Sequence, residues 1–316
     1  MAVFTPLSET QVIAFLERFD AGRLIALDEV SSGTENSTFF VTTDRQSLVL
    51  TLFEQGESEE LPFFVELLDF LANHELPVAS PLHDREGKAL QTLANRPALL
   101  FPRLSGDHPM SPTLAQCTAI GQLLGKMHDL SRSFPGSRPN PRDLRWIGAN
   151  HPKVMAYLSE EDQQLMLDRF DSLESHLGYS SELPQGALHG DLFRDNAMFE
   201  GDRLTGLIDF YNGCTGDLLF DLAILVNDWC SDENGDIIDA RYRAVLENYM
   251  AQRPFSEDER RAWPKMLQLT ALRYWLSRLL VIYVDPPAHS LTPKDPTQYR
   301  DILRSRVERG APELPR

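Results

Sequence analysis

The segment HGDLFRDN, His189–Asn196, decides how this sequence is interpreted. Its Asp191 and Asn196 are five positions apart, and a short apolar stretch that predicts a strand comes directly before it. A second apolar stretch, Leu204–Ile208, ends immediately before Asp209, which lies 18 positions after Asp191. The sequence therefore predicts two carboxylates and an amide in loops at the ends of short strands.

This set of side chains suits phosphoryl transfer. The reaction needs a carboxylate that orients and deprotonates the attacking hydroxyl, and oxygen ligands that hold Mg2+ against the β- and γ-phosphates. The pattern H-R-D-L-x-x-x-N followed by D-F-G supplies these groups in this order. Here Gly190 replaces the Arg, and IDFY, Ile208–Tyr211, stands where D-F-G would be. Each piece alone is common in structural roles, but their joint occurrence predicts an ATP- and Mg2+-dependent transferase. His189 itself is predicted to position the loop.

Composition limits the alternatives. The 316 residues carry a net charge of −17, which disfavours nucleic acid and anionic membranes as partners. The three cysteines are widely spaced and form no CxxC pair, so neither a disulfide framework nor a zinc ribbon is expected. The start of the chain lacks the pattern of a secretion signal, and no apolar stretch reaches the roughly 18 residues of a membrane span. We therefore expect a cytoplasmic protein.

The sequence predicts an α+β fold with two lobes. A proline-rich linker follows Phe101, and we place the boundary near Arg103, with a sheet-containing lobe at residues 1–103 and a mainly helical lobe at residues 104–316. The predicted elements of the first lobe are a helix after a Ser8–Gln11 capping box, strands at Arg23–Val30, Phe39–Thr42, Ser47–Phe53, Lys88–Leu93 and Pro97–Phe101, and a helix at Glu59–Asn73.

In the second lobe, Ser111 is the predicted cap of a helix over Pro112–Leu130. The polar segment Ser131–Asn150 predicts a surface loop or part of a site. A long helix is predicted at Pro264–Val284, with a buried stripe that includes Tyr283. The other predicted elements are helices near Pro152–Tyr157, Glu160–Leu177, Leu218–Cys230 and Ile237–Gln252, with short strands at Ala187–Leu188, Ala197–Phe199 and Leu204–Ile208.

The motifs resemble those of the aminoglycoside phosphotransferase and choline kinase superfamily. The resemblance implies a bilobal, protein-kinase-like fold with a small antiparallel sheet in the N-terminal lobe and ATP between the lobes. It implies that Asp191 is the catalytic base and that Asn196 and Asp209 are Mg2+ ligands. The segment GDLLFDLA, Gly216–Ala223, is similar to the family's GDPxxDLA, which implies that Asp221 braces the catalytic loop. Asp217 is instead predicted to cap the following helix.

The nucleotide contacts are harder to predict, because the loop SSGTENST contains a single glycine. Its hydroxyls, amide and backbone N–H groups are candidate phosphate donors. Thr51 occupies the place where most relatives carry a Lys that contacts the phosphates, with Glu66 as the usual partner of that Lys. The predicted nucleotide-binding residues are Ser32, Gly33, Thr34, Asn36, Ser37, Phe101 and Arg103.

Four segments are similar to one branch of this superfamily, whose substrate is L-homoserine: Val3–Glu9, Ser32–Val41, Leu50–Glu54 and Val226–Cys230. The Thr in place of Lys is itself associated with this branch. The resemblance implies transfer of the ATP γ-phosphate to L-homoserine, giving O-phospho-L-homoserine for threonine synthesis. A homodimer is a further expectation.

An amino-acid substrate needs an acid for its ammonium group and an Arg or backbone donors for its carboxylate. The candidate substrate-binding residues are Arg145, Trp146, Asp228 and Arg278. Two alternatives stay open at this point: a kinase for another small alcohol, such as choline, methylthioribose or an aminoglycoside, and a nucleotide-binding scaffold without activity.

Overall fold

The computed structural model describes residues 5–30, 36–54, 60–177, 183–286 and 293–316. The chain divides into two compact units. The first contains the residues up to Ser105 together with Gly206–Ile208, and the second contains Gly106–Thr205, Asp209–Pro286 and Pro293–Arg316. The lobe limits 1–103 and 104–316 stay a prediction. Within the described part of the chain, no helix is long and apolar enough to cross a membrane.

The first unit is built on a five-stranded antiparallel sheet in the order β1-β2-β3-β5-β4. Side chains of β2 alternate between buried and partly buried positions, and the buried Phe39 and Val41 pack with Val12 and Phe15 of the first helix. Its elements are α1 Glu9–Leu16, β1 Leu24–Glu29, β2 Ser37–Thr43, β3 Ser47–Leu52, α2 Leu61–Asn73, β4 Gln91–Leu93 and β5 Arg96–Pro102.

Thr51 lies in the middle of this sheet. It pairs with Thr38 of β2 and Leu99 of β5, and only 4% of its surface is exposed. A cationic side chain at this position would begin in a buried environment between paired strands, where an unpaired ammonium group is costly.

The second unit is mainly helical, with two two-stranded sheets in which β6 pairs with β9 and β7 pairs with β8. Helices α3 and α7 are packed closely. A Cβ on Gly121 of α3 would lie 2.3 Å from Val245 O of α7, and a Cβ on Gly125 would lie 2.6 Å from Tyr249 O. Its elements are α3 Leu114–Ser131, α4 Leu144–Asn150, α5 Glu160–Leu177, β6 Gln185–Leu188, β7 Ala197–Glu200, β8 Arg203–Leu207, β9 Cys214–Asp217, α6 Leu218–Trp229, α7 Asp239–Gln252, α8 Glu257–Tyr283 and α9 Thr297–Glu308. The last two residues of β8, Gly206 and Leu207, belong to the first unit.

Several predicted helix limits were wrong for identifiable reasons. Thr113, and not Ser111, caps α3, because Gln116 completes a capping box with it. The segment predicted as a loop contains α4, whose Ile147 is fully buried. Helix α8 begins directly after its cap Ser256 and not at Pro264, which lies inside the helix and cannot donate a backbone hydrogen bond there.

Three details of the second unit also differ from the predictions. Tyr283 is 41% exposed and does not belong to the buried face of α8. Asp217 stands at the cap position of α6, but its carboxylate accepts a hydrogen bond from Gln185 Nε2 and makes no cap hydrogen bond. Strand β9 and helix α9 were not predicted, because a four-residue strand and a polar helix give weak patterns.

Candidate active site

The loop that carries Asp191 is held by a buried carboxylate. Strand β6 ends at Leu188, and the next two backbone N–H groups, of His189 and Gly190, donate to Asp221 Oδ2 and Oδ1 at 2.8 and 2.9 Å. Asp221 lies on α6 and is fully buried. Gly190 has φ +77°, and a Cβ there would lie 2.3 Å from Asn212 O, so the turn requires glycine.

Asp221 is the end of a longer buried chain of hydrogen bonds. His128 of α3 lies with Nε2 3.2 Å from Asp221 Oδ2 and Nδ1 2.7 Å from the hydroxyl of Tyr249. That hydroxyl accepts from Arg253 Nη1 at 3.0 Å, and Arg253 is ion-paired with the buried Glu259. We call these five residues the buried relay: Asp221, His128, Tyr249, Arg253 and Glu259.

The relay fixes the protonation of His128. Burial lowers the pKa of His128, although its hydrogen bond to Asp221 opposes this, so the ring is neutral. Burial raises the pKa of Asp221, but the hydrogen bonds that it accepts from the His128 ring and the His189 backbone N–H hold that pKa below its usual value. The ionised Asp221 only accepts, so the His128 proton is on Nε2 and Nδ1 accepts from Tyr249.

Asp191 is half-buried and is oriented by a second side chain. The Tyr274 hydroxyl of α8 lies 2.7 Å from Asp191 Oδ1 and 2.9 Å from Gly190 O. Burial raises the pKa of Tyr274 well above its ordinary value, so the hydroxyl keeps its proton and acts as a donor. Sequence analysis missed Tyr274, which lies 83 positions after Asp191 and has no partner close to it in the sequence.

The structure brings Asn196 to Asp191. Its Nδ2 donates to Asp191 O at 2.7 Å, so the amide nitrogen is engaged and Oδ1 is the atom left to act as a ligand. Asp209 has left-handed backbone angles, φ 66° and ψ 54°, and precedes a 3-10 turn at Phe210–Asn212. The Phe210 ring packs on His189 with centroids 4.3 Å apart, which ties this turn to the catalytic loop.

The donor types of Asn196 and Asp209 fit a magnesium ion. Both offer hard oxygen, which Mg2+ prefers, and Mg2+ is usually held by one or two protein groups together with water and phosphate oxygens. Among the described residues, no group of three or more His, Cys, Asp or Glu side chains is placed to hold a metal. A magnesium site made of one amide and one or two carboxylates does not require such a group.

The predicted nucleotide contacts are spread along the first unit. Ser32, Gly33 and Thr34 lie outside the described residues. Asn36 Oδ1 accepts from Glu54 N at 3.4 Å, and Ser37 Oγ donates to Glu54 Oε1 at 2.5 Å. Phe101 is buried in β5, and the exposed Arg103 places its guanidinium 3.8 Å from the centroid of the Phe40 ring.

The structure separates the four candidate substrate-binding residues. Arg278 and Asp228 line one pocket of about 320 Å³ in the second unit. Arg145 and Trp146 do not line it; the Arg145 side chain is 96% exposed and lies 3.7 Å from Asp143. We call this cavity the Arg278 pocket; Arg194, Asp195 and Lys294 also line it, although no sequence pattern had indicated them.

Fold and site together define a class. An antiparallel five-stranded sheet followed by a helical unit, with an oriented aspartate after a short strand, is the architecture of kinase-like phosphotransferases. Two solved structures share the fold. The amicoumacin kinase hAmiN, in complex with AMP-PNP, Ca2+ and Ami, has a TM-score of 0.71 at 16% identity, covering 96% of this chain and 93% of that one. A microcompartment-associated aminopropanol kinase has a TM-score of 0.69 at 18% identity, covering 95% of each chain.

The chain belongs to the phosphotransferase enzyme family, whose model matches residues 26–263. It is 40% identical to the homoserine kinase of Janthinobacterium sp. (strain Marseille) over 317 residues, 99% of this chain and 98% of that one. It is 44% identical to the homoserine kinase of Pseudomonas aeruginosa (strain LESB58) over 280 residues, 89% of each chain. The predicted family and the predicted kinase-like α+β fold are confirmed.

The buried relay predicts a specific dependence of stability on pH. His128 is neutral in the folded protein, whereas in the unfolded chain it takes up a proton below about pH 6.5. Below that pH the unfolded state binds more protons than the folded state. The contribution of neutral His128 to the free energy of unfolding is therefore complete above that pH and is lost as the pH falls. In urea unfolding between pH 7.5 and 5.5, wild type should lose free energy of unfolding more steeply than His128→Gln, by up to about 1.4 kcal/mol per pH unit. Equal slopes would show that His128 is not held neutral.

Proposed function

We propose that the protein transfers the γ-phosphate of ATP to the side-chain hydroxyl of L-homoserine, with Asp191 as the base. The observation that carries the chemistry is the Asp191 carboxylate, half-buried in a loop clamped by Asp221 and oriented by Tyr274. Similarity to homoserine kinases over nearly the whole chain supports L-homoserine as the substrate. The product, O-phospho-L-homoserine, would serve threonine synthesis.

The two oxygens of Asp191 have different surroundings. Oδ1 lies 2.7 Å from the Tyr274 hydroxyl, whereas Oδ2 has a weak contact of 3.5 Å with Asn196 Nδ2. Oδ2 is therefore the oxygen that accepts the proton of the attacking hydroxyl, and Tyr274 sets its direction by holding the other oxygen. Because the Asp221 clamp fixes the backbone before Asp191, the carboxylate is already aligned when substrate arrives.

Asn196 and Asp209 are assigned as the ligands of Mg2+. When bound, the Mg2+–ATP complex supplies the phosphoryl group and neutralises part of its charge. On the protein side, the Asn196 amide is pre-oriented by its bond to Asp191 O. We assign the nucleotide contacts to Ser32, Gly33, Thr34, Asn36, Ser37, Phe101 and Arg103, whose N–H, hydroxyl, amide and guanidinium groups would act in place of the missing Lys. His189 and Asp221 are assigned supporting roles.

The remaining sequence-based expectations are kept as predictions. They are a homodimer and a cytoplasmic location. A catalytically inactive scaffold is disfavoured, since Asp191, Asn196 and Asp209 are all present and the first two are in hydrogen-bond contact.

A coupled ADP-release assay tests the substrate directly. With Mg2+ and ATP, purified protein should release ADP with L-homoserine, and at least about 100-fold more slowly with choline, methylthioribose or kanamycin. The reason is that a site built to hydrogen-bond a polar group of its substrate rejects ligands that lack this group. Faster turnover of any of the other three would assign a different substrate, and no turnover with any alcohol would favour the scaffold.

Replacing the base should separate chemistry from nucleotide binding. Asp191→Asn keeps the shape of the side chain but removes the proton acceptor, so kcat should fall by about 10²–10⁴-fold with the affinity for ATP nearly unchanged. Steady-state kinetics and ATP titration measure the two effects. Asp202→Asn, on the exposed turn between β7 and β8, is the matched control. A kcat within about tenfold of wild type would remove Asp191 from this role.

The metal ligand assignment has its own test. Asn196→Ala removes the Oδ1 ligand, so the Mg2+ concentration for half-maximal activity should rise at least about tenfold. The same substitution removes a bond to Asp191 O, so a purely structural defect would lower activity at every Mg2+ concentration. Restoration of activity at high Mg2+ distinguishes the two, and an unchanged Mg2+ titration would contradict the assignment.

A further inference from the structure

The Arg278 pocket is positively charged inside a strongly acidic protein. Three cationic side chains, of Arg194, Arg278 and Lys294, line it against the acids Asp195 and Asp228, which leaves one uncompensated positive charge when His108 is neutral. The whole chain has a net charge of −17, so this local excess is opposite to the average surface. A pocket with this sign favours an anionic group on its ligand.

Two of the three cations are already paired with carboxylates. Arg194 donates through its backbone N and its Nε to Asp228 Oδ2, at 2.8 and 3.1 Å, and Asp228 is buried. Lys294 Nζ lies 2.5 Å from Asp195 Oδ2. Within each pair the two charges neutralise each other, and the pairs fix the walls of the pocket.

Arg278 is different. Its Nη1 donates to two neutral acceptors, Asp295 O at 2.6 Å and Gln298 Oε1 at 2.8 Å. Within the part of the chain that the structure describes, no carboxylate forms an ion pair with it, and its Nε and Nη2 have no hydrogen-bond partner. Burial lowers the pKa of Arg278 and outweighs the opposing effect of the nearby charges of Asp228, Asp295 and Asp195. The remaining donors of this guanidinium therefore suit a ligand carboxylate, which accepts two parallel N–H bonds.

Two successive aromatic rings link Arg278 to the base. Its guanidinium lies 4.6 Å from the centroid of the Tyr299 ring, and that ring is 5.2 Å from the ring of Tyr274. Tyr274 in turn holds Asp191 Oδ1. In an amino acid with a γ-hydroxyl, the hydroxyl oxygen is only about 5 Å from the carboxylate carbon, since four bonds of about 1.5 Å separate them. Arg194 and Asp195, which also line the pocket, follow Asp191 by three and four residues, so the pocket adjoins the loop that a ligand of this length has to contact.

We propose that Arg278 binds the α-carboxylate of the amino-acid substrate and thereby makes the enzyme selective for a hydroxylated amino acid over the corresponding amino alcohol. This inference rests on the proposed function. Arg194 and Asp228 act as a rigid wall, and Pro109 and Met110 offer apolar surface to the methylene groups of the substrate. The nucleotide phosphates are the other anions of the reaction, and their binding to Arg278 is an outcome that the experiment separates.

The test compares L-homoserine with 3-amino-1-propanol, which has the same hydroxyl and amino groups but no carboxylate. For wild type and Arg278→Gln, kcat and KM are measured with L-homoserine, and 3-amino-1-propanol is titrated as a competitor to obtain its Ki, whether or not it is phosphorylated. Loss of a charge-assisted hydrogen-bond pair should raise KM for L-homoserine by about 10- to 150-fold, while the Ki of 3-amino-1-propanol changes by less than about threefold. Arg261→Gln, exposed on the same helix, is the control.

Each other outcome has a defined meaning. An equal rise of both constants would show that Arg278 only shapes the pocket, and an unchanged KM for L-homoserine would show that it does not touch the carboxylate. A rise confined to the KM for ATP would assign Arg278 to the nucleotide phosphates. All three overturn the proposal while leaving homoserine phosphorylation intact. Failure of wild type to phosphorylate L-homoserine would instead overturn the proposed function.

Discussion

The arrangement of the second unit depends on one buried anion. Asp221 accepts the backbone N–H groups of His189 and Gly190 and the ring N–H of His128, and these bonds satisfy a charge that would otherwise be too costly to bury. A carboxylate with three donors is stable in the interior and is rigid in direction. The position of Asp191 depends on these bonds, because the loop that carries it cannot shift without leaving Asp221 unpaired.

The sequence predicted the loop that carries Asp191 but did not predict the side chains that hold this loop in place. HGDLFRDN is a local pattern, and Gly190 is explained by a turn that excludes a Cβ. The groups that support the loop are far away along the chain: His128 is 93 residues from Asp221, and Tyr274 is 83 residues from Asp191. Such pairs have no local signature, so a tyrosine on a long helix looks like an ordinary core residue. The assigned roles of these side chains stay predictions until they are tested.

Secondary structure shows the same division between local and distant information. The capping boxes at Ser8 and Ser256 were predictable because their partners lie three residues away. At α3 two candidate caps stood close together, and only the partner Gln116 distinguishes Thr113 from Ser111. Strand β9 exists because it pairs with β6, and α4 because Ile147 has a core to enter. Neither cause is visible in the segment itself.

The close contact of α3 with α7 has a consequence for how the protein loses activity on heating. Gly121 and Gly125 bring the helix that carries His128 against the helix that carries Tyr249, with no room for a methyl group. Separation of these helices on heating would break the His128–Tyr249 hydrogen bond, whereas Asp221 on α6 would keep its bonds to His189 and Gly190. Loss of this bond leaves a buried imidazole nitrogen without its hydrogen-bond donor, so opening of the α3–α7 interface weakens the polar support of the loop that carries Asp191.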